Sequence, residues 1–401
     1  MTQSAQKENI MKYRLIYSAG ILFVYILGKC IPLYGIELPS DTYRTVGVEE
    51  ILMQTVGGDM NKSSIFALGI FPFMISSLFV QIAFAIRGLF VKTRLSPRVM
   101  GRTMVTVTLA IAIMQAFAQV PQLTFSVAEE QQTWARGIVI LQMITGVMVI
   151  LWLSERNGKY GVGGRMILGL VNILERVIAT VLHYDMESLM IPLLVSLAVL
   201  VITLVMENAE LRIPVQRVSI HNIYADKNYM AIKLNPVGVM PLMFSTMVFI
   251  LPKLLVSLLG YAFPENEAII WWQENMNLTS PAGIAVYIAC EYLLTISLSL
   301  LMISPKDLTE QFLKSGDSIV NLHAGRDTKR YLRRAIGSIS FVSATIMGGC
   351  ILVPLLLQLR GTIDSSLTTL PTSIMMMTSF WCTIFRELAS IYKYDSCRPL
   401  F

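Results

Sequence analysis

Long apolar stretches divide the chain, and each has about the length that a helix needs to cross a bilayer. Roughly 20 apolar residues suffice for such a helix, and windows of this kind recur ten times in the 401 residues. None has the strict alternation of a membrane β-barrel strand. The pattern predicts an all-α membrane protein with ten transmembrane spans, numbered in chain order: 13–34, 65–86, 103–122, 134–153, 163–183, 188–206, 236–260, 282–304, 335–357 and 369–391.

Composition supports this prediction. The chain is 54% hydrophobic and only 14% charged, with a mean hydropathy of +0.62, whereas soluble domains are about a quarter charged. The first span is longer than a signal-peptide core and no small-residue cleavage site follows it, so we expect it to be retained. The five cysteines and three histidines are scattered without metal-ligand spacing, so no metal site is predicted.

Loop charge predicts the orientation of the spans, since Lys and Arg are retained on the cytoplasmic side. Residues 87–102 contain five basic residues and no acidic one, whereas 35–64 is mainly acidic. With both termini in the cytoplasm, the inner side holds 22 Lys and Arg against 10 Asp and Glu, and the outer side holds 3 against 13. The net charge of +6 therefore belongs to membrane-flanking loops, and no nucleic-acid partner is expected.

Two segments of the chain share a pattern. GIFPFMISSL (69–78) on span two and GVMPLMFSTM (238–247) on span seven place Gly, Pro, Met and Ser at the same four positions. Spans two and seven are five spans apart, so they run in opposite directions. The pattern predicts two inverted halves, 1–183 and 184–401, around a path at their interface, although chance similarity between apolar segments is an alternative.

Prolines are part of this repeated pattern. An interior proline removes one helix hydrogen bond and bends the helix. In a membrane such a bend is tolerated where protein or water satisfies the freed carbonyl. Pro72 and Pro241 are therefore expected to bend spans two and seven and to place them along an internal path.

Three segments outside the spans have two interpretations each. Residues 46–64 are too short and too polar to span, and their apolar part, 51–56, either dips into a protein-lined space or belongs to an ordinary external loop. The loops at 207–235 and 305–334 carry mixed charges with apolar anchors. They form either a docking surface for a soluble partner or solvated membrane-flanking loops.

Several motifs together resemble the SecY protein-conducting channel family. SIFALGIFPFMISSLFVQ (64–81) is similar to its second span, and KLNPVGVMPLMF (233–244) to the start of its seventh. LRIPVQR (211–217) resembles its fourth cytoplasmic loop, SPKDLTEQFLKSG (304–316) with AGRDTKRYL (324–332) its fifth, and GKYGVGG (158–164) the entry to its fifth span. The matches are collinear and cover essentially the whole chain.

The resemblance implies an hourglass channel closed by a ring of apolar side chains, since a narrow apolar neck excludes water and ions. Matched motif by motif, the ring would consist of Ile70, Met74, Met166, Leu170, Met243 and Met376. The register on span ten leaves Met375 and Met377 as alternatives. Methionine side chains adapt to irregular shapes, so this ring would deform easily around a passing chain. The alternative interpretation is that these methionines only pack helices together.

The resemblance also implies three further sites. A plug half-helix (46–60) would block the outer funnel, with Ile51, Leu52, Val56, Gly57 and Gly58 as its key residues. A lateral gate between spans two and seven would be flanked by spans three and eight and held by weak polar pairs of about 1 kcal/mol each, formed by Ser76, Ser77, Gln81, Gln115, Ser245 and Thr246. A motor would dock on Arg212, Arg217, Lys329, Arg330, Arg333 and Arg334.

Departures from the family pattern indicate its accessory branch in Gram-positive bacteria. The loop after LRIPVQ lacks a dense basic cluster, His323 stands where the family usually has Arg, and the tail is short. The accessory branch implies a multi-pass protein of the bacterial cytoplasmic membrane. Its expected partners are an accessory SecA-type ATPase, a SecE-like small membrane subunit, other accessory Sec proteins, the lipid bilayer and a secreted polypeptide, a serine-rich glycosylated adhesin. The general SecY channel is the alternative.

Two other classes of protein are weighed against a channel. A ten-span transporter of a small solute would share the inverted repeat but needs polar groups converging at the midplane, where Ile, Leu and Met are predicted. An intramembrane enzyme would need a nucleophile–base pair or a metal-ligand cluster, which the sequence does not suggest, and neither an enzyme nor a cofactor is expected. Five charged residues inside spans are left unexplained, since such residues usually face a cavity or a partner: Glu175, Arg176, Glu291, Arg386 and Glu387. Glu175 or Arg176 either lines the outer funnel or belongs to an internal ion pair.

Overall fold

A computed structural model describes the chain at 2–36, 63–90, 96–126, 131–217, 229–249, 256, 271–272, 275, 277–320, 322–323 and 325–396. Long helices dominate this part of the chain. They lie at Thr2–Lys29, Phe71–Phe90, Pro97–Gln119, Gln132–Tyr160, Met166–His183, Met186–Asn208, Pro281–Met302, Pro305–Ser315, Arg326–Leu359 and Leu370–Ser396, with a short helix at Met240–Phe249 and a 3-10 turn at Val120–Gln122.

Each predicted span falls on one of these helices, and Pro305–Ser315 is an additional helix between spans eight and nine. Among the described residues, seven helices are long and apolar enough to cross a membrane, and the shorter apolar helices Phe71–Phe84 and Met240–Phe249 lie on spans two and seven. The helical membrane fold is confirmed, while the count of ten crossings stays a prediction. Large apolar side chains such as Phe23 and Leu194 are exposed along the spans, as expected where lipid covers a protein.

Three helices begin at a Ser-Pro dipeptide. Ser96, Ser280 and Ser304 are the N-cap residues, and their side chains accept hydrogen bonds from the backbone N–H groups of Arg98, Gly283 and Asp307. The proline that follows each serine occupies the first helical position. Its missing N–H costs nothing there, because the first turn of a helix has no intrahelical acceptor for it.

The helices of spans two and seven begin with the same turn. Gly69 and Gly238 have φ angles of +56° and +68°, in the left-handed region that glycine adopts without strain. The helices start at Phe71 and Met240, so Pro72 and Pro241 lie in the first turn. The predicted proline bends are therefore wrong, since a proline in the first turn breaks no intrahelical hydrogen bond.

The two long loops join in one small antiparallel sheet, which the sequence analysis did not predict. β1 (Glu210–Arg217) pairs over its first half with β2 (Tyr229–Lys233) and over its second half with β3 (Asp317–Ile319). Pro214 lies at the change of partner, so its missing N–H interrupts neither ladder. We call β1, β2 and β3 the loop sheet. Ile213, Ile232 and Ile319 pack beneath it, against the start of the Arg326–Leu359 helix.

One large apolar cluster forms the centre of the described molecule. It takes buried side chains from spans one, two and four to ten, with partly buried residues of span three packed against it. A second cluster joins spans three and four to the first residues of span two. The spans that carry the predicted functional residues thus meet in one core.

The left-handed turns allow a direct test. We expect Gly238→Ala to lower the free energy of unfolding by about 1–2 kcal/mol, because an L-residue is strained in this conformation. Gly349→Ala is the matched control, since Gly349 is helical and a Cβ there meets no atom within 4 Å. Unfolding in detergent, followed by circular dichroism, compares the two variants, and equal stability would contradict a special role for the turn.

Candidate functional site

The six residues of the predicted apolar ring lie in or against one cluster. Ile70, Met74, Met243 and Met376 are buried members of the central apolar cluster, and Met166 and Leu170 are half-buried and pack against it. These residues come from spans two, five, seven and ten, so both halves of the sequence contribute. On span ten, Met375 and Met376 are both buried and Met377 is partly buried in the same cluster, which leaves the register of the ring open.

The serines and threonine of the repeated motif form matching hydrogen bonds. The hydroxyl of Ser76 donates to the carbonyl of Phe73 at 2.8 Å, and that of Ser245 donates to Leu242 at 2.9 Å. Ser77 and Thr246 donate to Met74 and Met243, each at 2.7 Å. The sequence repeat is therefore also a structural repeat. These hydroxyls face carbonyls of their own helix, so the hydrogen bonds found for them are not polar pairs across the predicted seam.

Contacts within each side of the predicted gate are visible. On one side, the Ser76 and Thr108 hydroxyl oxygens are 2.6 Å apart and connect span two with span three. On the other side, the ring of Tyr287 on span eight packs edge-on against Phe249 of span seven at 5.8 Å. Sequence reasoning missed Thr108, Phe249 and Tyr287, because none belongs to the repeated motif that pointed to the gate.

Buried amide groups on spans two and three lack hydrogen-bond partners among the described residues. They are the Oε1 atom of Gln81, both polar side-chain atoms of Gln115 and the Oε1 atom of Gln119. A buried polar group without a partner costs about 1–3 kcal/mol. The predicted gate is therefore a place where the described protein leaves hydrogen-bonding capacity unused. The predicted plug, with Ile51, Leu52, Val56, Gly57 and Gly58, lies outside the described residues.

The charge of Glu175 belongs to an ion pair inside the protein. Its carboxylate accepts a hydrogen bond from the ammonium group of Lys29 at the end of span one. Lys29 also donates to Asn172 at 3.2 Å, and Asn172 accepts from the hydroxyl of Tyr25 at 2.8 Å. Lys29 is buried and Glu175 is half exposed, so this network fastens span one to span five.

The other charges inside spans also have partners. Arg176 donates to the hydroxyl of Thr369, the first residue of span ten, at 2.9 Å. Glu387 accepts from the backbone N–H of Gly163 at 2.9 Å, and Glu291 accepts from the hydroxyl of Thr295 at 2.9 Å. Arg386 pairs with Glu207 at 3.5 Å. For Glu175 the structure thus selects the internal ion pair from the two interpretations that the sequence left open, and Arg386 also belongs to an ion pair.

The predicted docking residues belong to one structural unit. Arg212 on β1 lies over the ring of Tyr229 on β2 at 4.8 Å, and the backbone of Arg217 pairs with Asp317 of β3. The helix that packs beneath the loop sheet carries the remaining four, all exposed: Lys329, Arg330, Arg333 and Arg334. The two loops thus present their basic residues together. Across the described part of the chain, no group of three His, Cys, Asp or Glu residues could hold a metal ion.

Comparison with known proteins identifies the family. The SecY family model matches residues 64–385, which is most of the chain. The protein therefore belongs to the SecY family.

Relatives and solved structures refine this result. The accessory Sec system protein translocase subunits SecY2 of Leuconostoc gelidum and Streptococcus salivarius are 25% and 26% identical to the chain, over 97% and 98% of it and 96% and 98% of their own lengths. A solved protein-conducting channel matches with a TM-score of 0.72, and Sec61 from a canine ribosome–channel complex with 0.67. Each of these is 15% identical, over 96% of this chain and 93% of that chain. The channel fold is confirmed by these two structures.

The ion pair of Lys29 provides a test of the packing between spans one and five. We expect Glu175→Gln to lower the free energy of unfolding by about 2 kcal/mol, because it removes the negative charge that pairs with the buried ammonium of Lys29. A double variant with Lys29→Met should recover part of this loss. Glu187→Gln, at an exposed glutamate, serves as the control. Equal stability of Glu175→Gln and this control in denaturant titrations would contradict the ion pair.

Proposed function

We propose that the protein is the protein-conducting channel subunit of an accessory Sec translocase in a bacterial cytoplasmic membrane. The observation that carries this proposal is the convergence of Ile70, Met74, Met243 and Met376, with Met166 and Leu170, in one apolar cluster built from both halves. An apolar neck excludes water and ions at rest. Its methionines can adapt to the varied side chains of a passing polypeptide.

The gate is the second part of the proposal. Spans two and seven would separate as a seam, each moving with its neighbour because Ser76 contacts Thr108 and Phe249 contacts Tyr287. The unpartnered Oε1 atom of Gln81 and the unpartnered amide group of Gln115 would gain hydrogen bonds when a peptide enters the seam. Residues 46–60 would act as the plug. The halves 1–183 and 184–401 would have opposite orientations, with both termini in the cytoplasm.

The source of energy is the third part of the proposal. A SecA-type ATPase of the accessory system would dock on the loop sheet and the exposed basic residues of the adjoining helix. The SecY2 proteins named above belong to an accessory Sec system, which favours this motor over a general one. Its export substrate would be a serine-rich glycosylated adhesin, and a SecE-like subunit would flank the channel. The protein itself acts as a conduit and not as a catalyst.

Photocrosslinking tests the conduit directly. A photoreactive amino acid at Met74 or Met243 should crosslink to a secreted polypeptide that is stalled during export, since both side chains belong to the proposed ring. The same group at Phe23, which is 64% exposed on span one, should label lipid or small subunits instead. If the ring positions label only a small solute while the polypeptide is stalled, the channel function is wrong.

The docking surface gives a further prediction. Reversing the charge of Lys329, Arg330, Arg333 and Arg334 together should weaken binding of the accessory motor about tenfold or more, and added salt should reduce the difference, because exposed charges are screened.

Binding is measured on vesicles that contain the reconstituted channel. Reversal of Lys12 and Arg14 at the start of span one controls for nonspecific charge effects. Purified general motor should bind the unmodified channel poorly. Equal affinity for both motors would remove the accessory assignment.

A further inference from the structure

A buried carboxylate lies between the loop sheet and span seven. Glu207 is next to last in the Met186–Asn208 helix of span six, and β1 begins three residues later at Glu210. The residue is 3% exposed. A charge so buried requires partners of opposite charge or hydrogen-bond donors, and Glu207 takes them from two distant segments of the chain.

Span ten provides the first set of partners. The hydroxyl of Ser379 donates to Oε1 of Glu207 at 2.7 Å, and Nη1 of Arg386 lies 3.5 Å from Oε2. Arg386 also donates through Nη2 to the backbone carbonyl of Glu207, and to Oδ1 of Asn208 at 3.3 Å. Span ten therefore holds both the carboxylate and the backbone at the end of span six.

The segment that leads into span seven provides the other partner. Nδ2 of Asn235 donates to Oε1 of Glu207 at 3.3 Å. One residue earlier, the backbone N–H of Leu234 donates to the carbonyl of Ala209 at 2.8 Å and extends the pairing of β1 with β2. The segment between the loop sheet and span seven is thus attached at two points to the end of span six.

The left-handed turn that starts span seven lies close to the same carboxylate. A Cβ added to Gly238 would lie 3.9 Å from Oε1 of Glu207 and 3.8 Å from the hydroxyl of Ser379. Glu207 thus lies near the turn, and its hydrogen bond with Asn235, three residues before Gly238, is the contact through which a movement of Glu207 reaches it. Because β1 follows Glu207 almost directly in the chain, a displacement of the loop sheet moves Glu207 first.

We propose that Glu207 is a positioning residue that couples the loop sheet to the opening movement of span seven. A partner that displaces β1 would shift Glu207 against Arg386 and Ser379. The shift would then be passed through Asn235 and the Gly238 turn to the gate helix. The inference rests on the proposed docking of a motor at the loop sheet, and it adds the residues through which docking would act on the gate.

The experiment separates docking from coupling. The full channel with its small partner subunit is reconstituted in vesicles, with its five cysteines replaced by alanine and a bimane fluorophore on Met240→Cys at the start of span seven. Addition of the accessory motor with a nonhydrolysable ATP analogue should shift the emission. Glu207→Gln should abolish most of this shift and reduce ATP-driven transport about fivefold or more, while the Kd of the motor stays within about twofold.

Two further variants sharpen the test. Glu387→Gln alters another carboxylate of span ten, which bonds to Gly163, and should behave like the parent. Asn235→Ala removes only the hydrogen bond toward span seven and leaves Arg386 and Ser379 on Glu207, so it should also reduce the shift. If Glu207→Gln does not accumulate in the membrane, Asn235→Ala alone tests the coupling between docking and span seven.

The outcomes are distinct. An unchanged emission shift in both Glu207→Gln and Asn235→Ala overturns the coupling while docking stands. A loss of motor affinity that matches the loss of transport also overturns it, since Glu207 would then act on docking itself. If the motor does not bind the parent channel, the docking proposal fails and the coupling fails with it.

Discussion

A membrane interior accepts neither an unpaired backbone group nor an unpaired charge, and the described architecture follows from this constraint. The spans are helices because a helix satisfies its own backbone. Spans two and seven can start beside the central cluster because Gly69 and Gly238 allow a left-handed turn and the proline that follows needs no hydrogen-bond acceptor in the first turn. The constraint therefore places two equivalent helix starts, one from each half of the sequence, at the proposed ring.

The same constraint explains how each half is held together. In the first half, Lys29 of span one pairs with Glu175 of span five. In the second half, Glu207 of span six pairs with Arg386 of span ten. The first and last spans of each half are thus joined by a charged pair of reversed sign. The hydroxyls of the repeated motif in spans two and seven bond to carbonyls of their own helices, and Ser76 also contacts Thr108 of span three. Ion pairs join the first and last spans of each half, and weaker hydroxyl contacts are found in spans two and seven. This distribution suits the proposed opening between spans two and seven.

Much of the fold was predictable from periodicity. The helices lie where the apolar windows predicted them, and the repeat of Gly, Pro, Met and Ser predicted equivalent structure in spans two and seven. The predicted bends were wrong because the repeat does not reveal where a helix begins, and the helices start one residue before Pro72 and Pro241. The loop sheet was missed because β1 contains a proline and its second partner, β3, lies about 100 residues away in the chain. Sequence pattern carries no information about pairing at that distance.

The sequence by itself determined the class of environment, the positions of the helices and the family, because hydropathy and local motifs are properties of neighbouring residues. It also supplied the ring and gate residues as predictions, through the resemblance of their motifs. Only the tertiary structure decided which charges meet. Glu207 with Arg386 and Lys29 with Glu175 are separated by more than 140 residues, and an ionised group inside a membrane is stabilised by whichever partner the fold brings to it. The position of Glu207 between β1, span ten and the turn of span seven is likewise a property of packing and not of the local sequence.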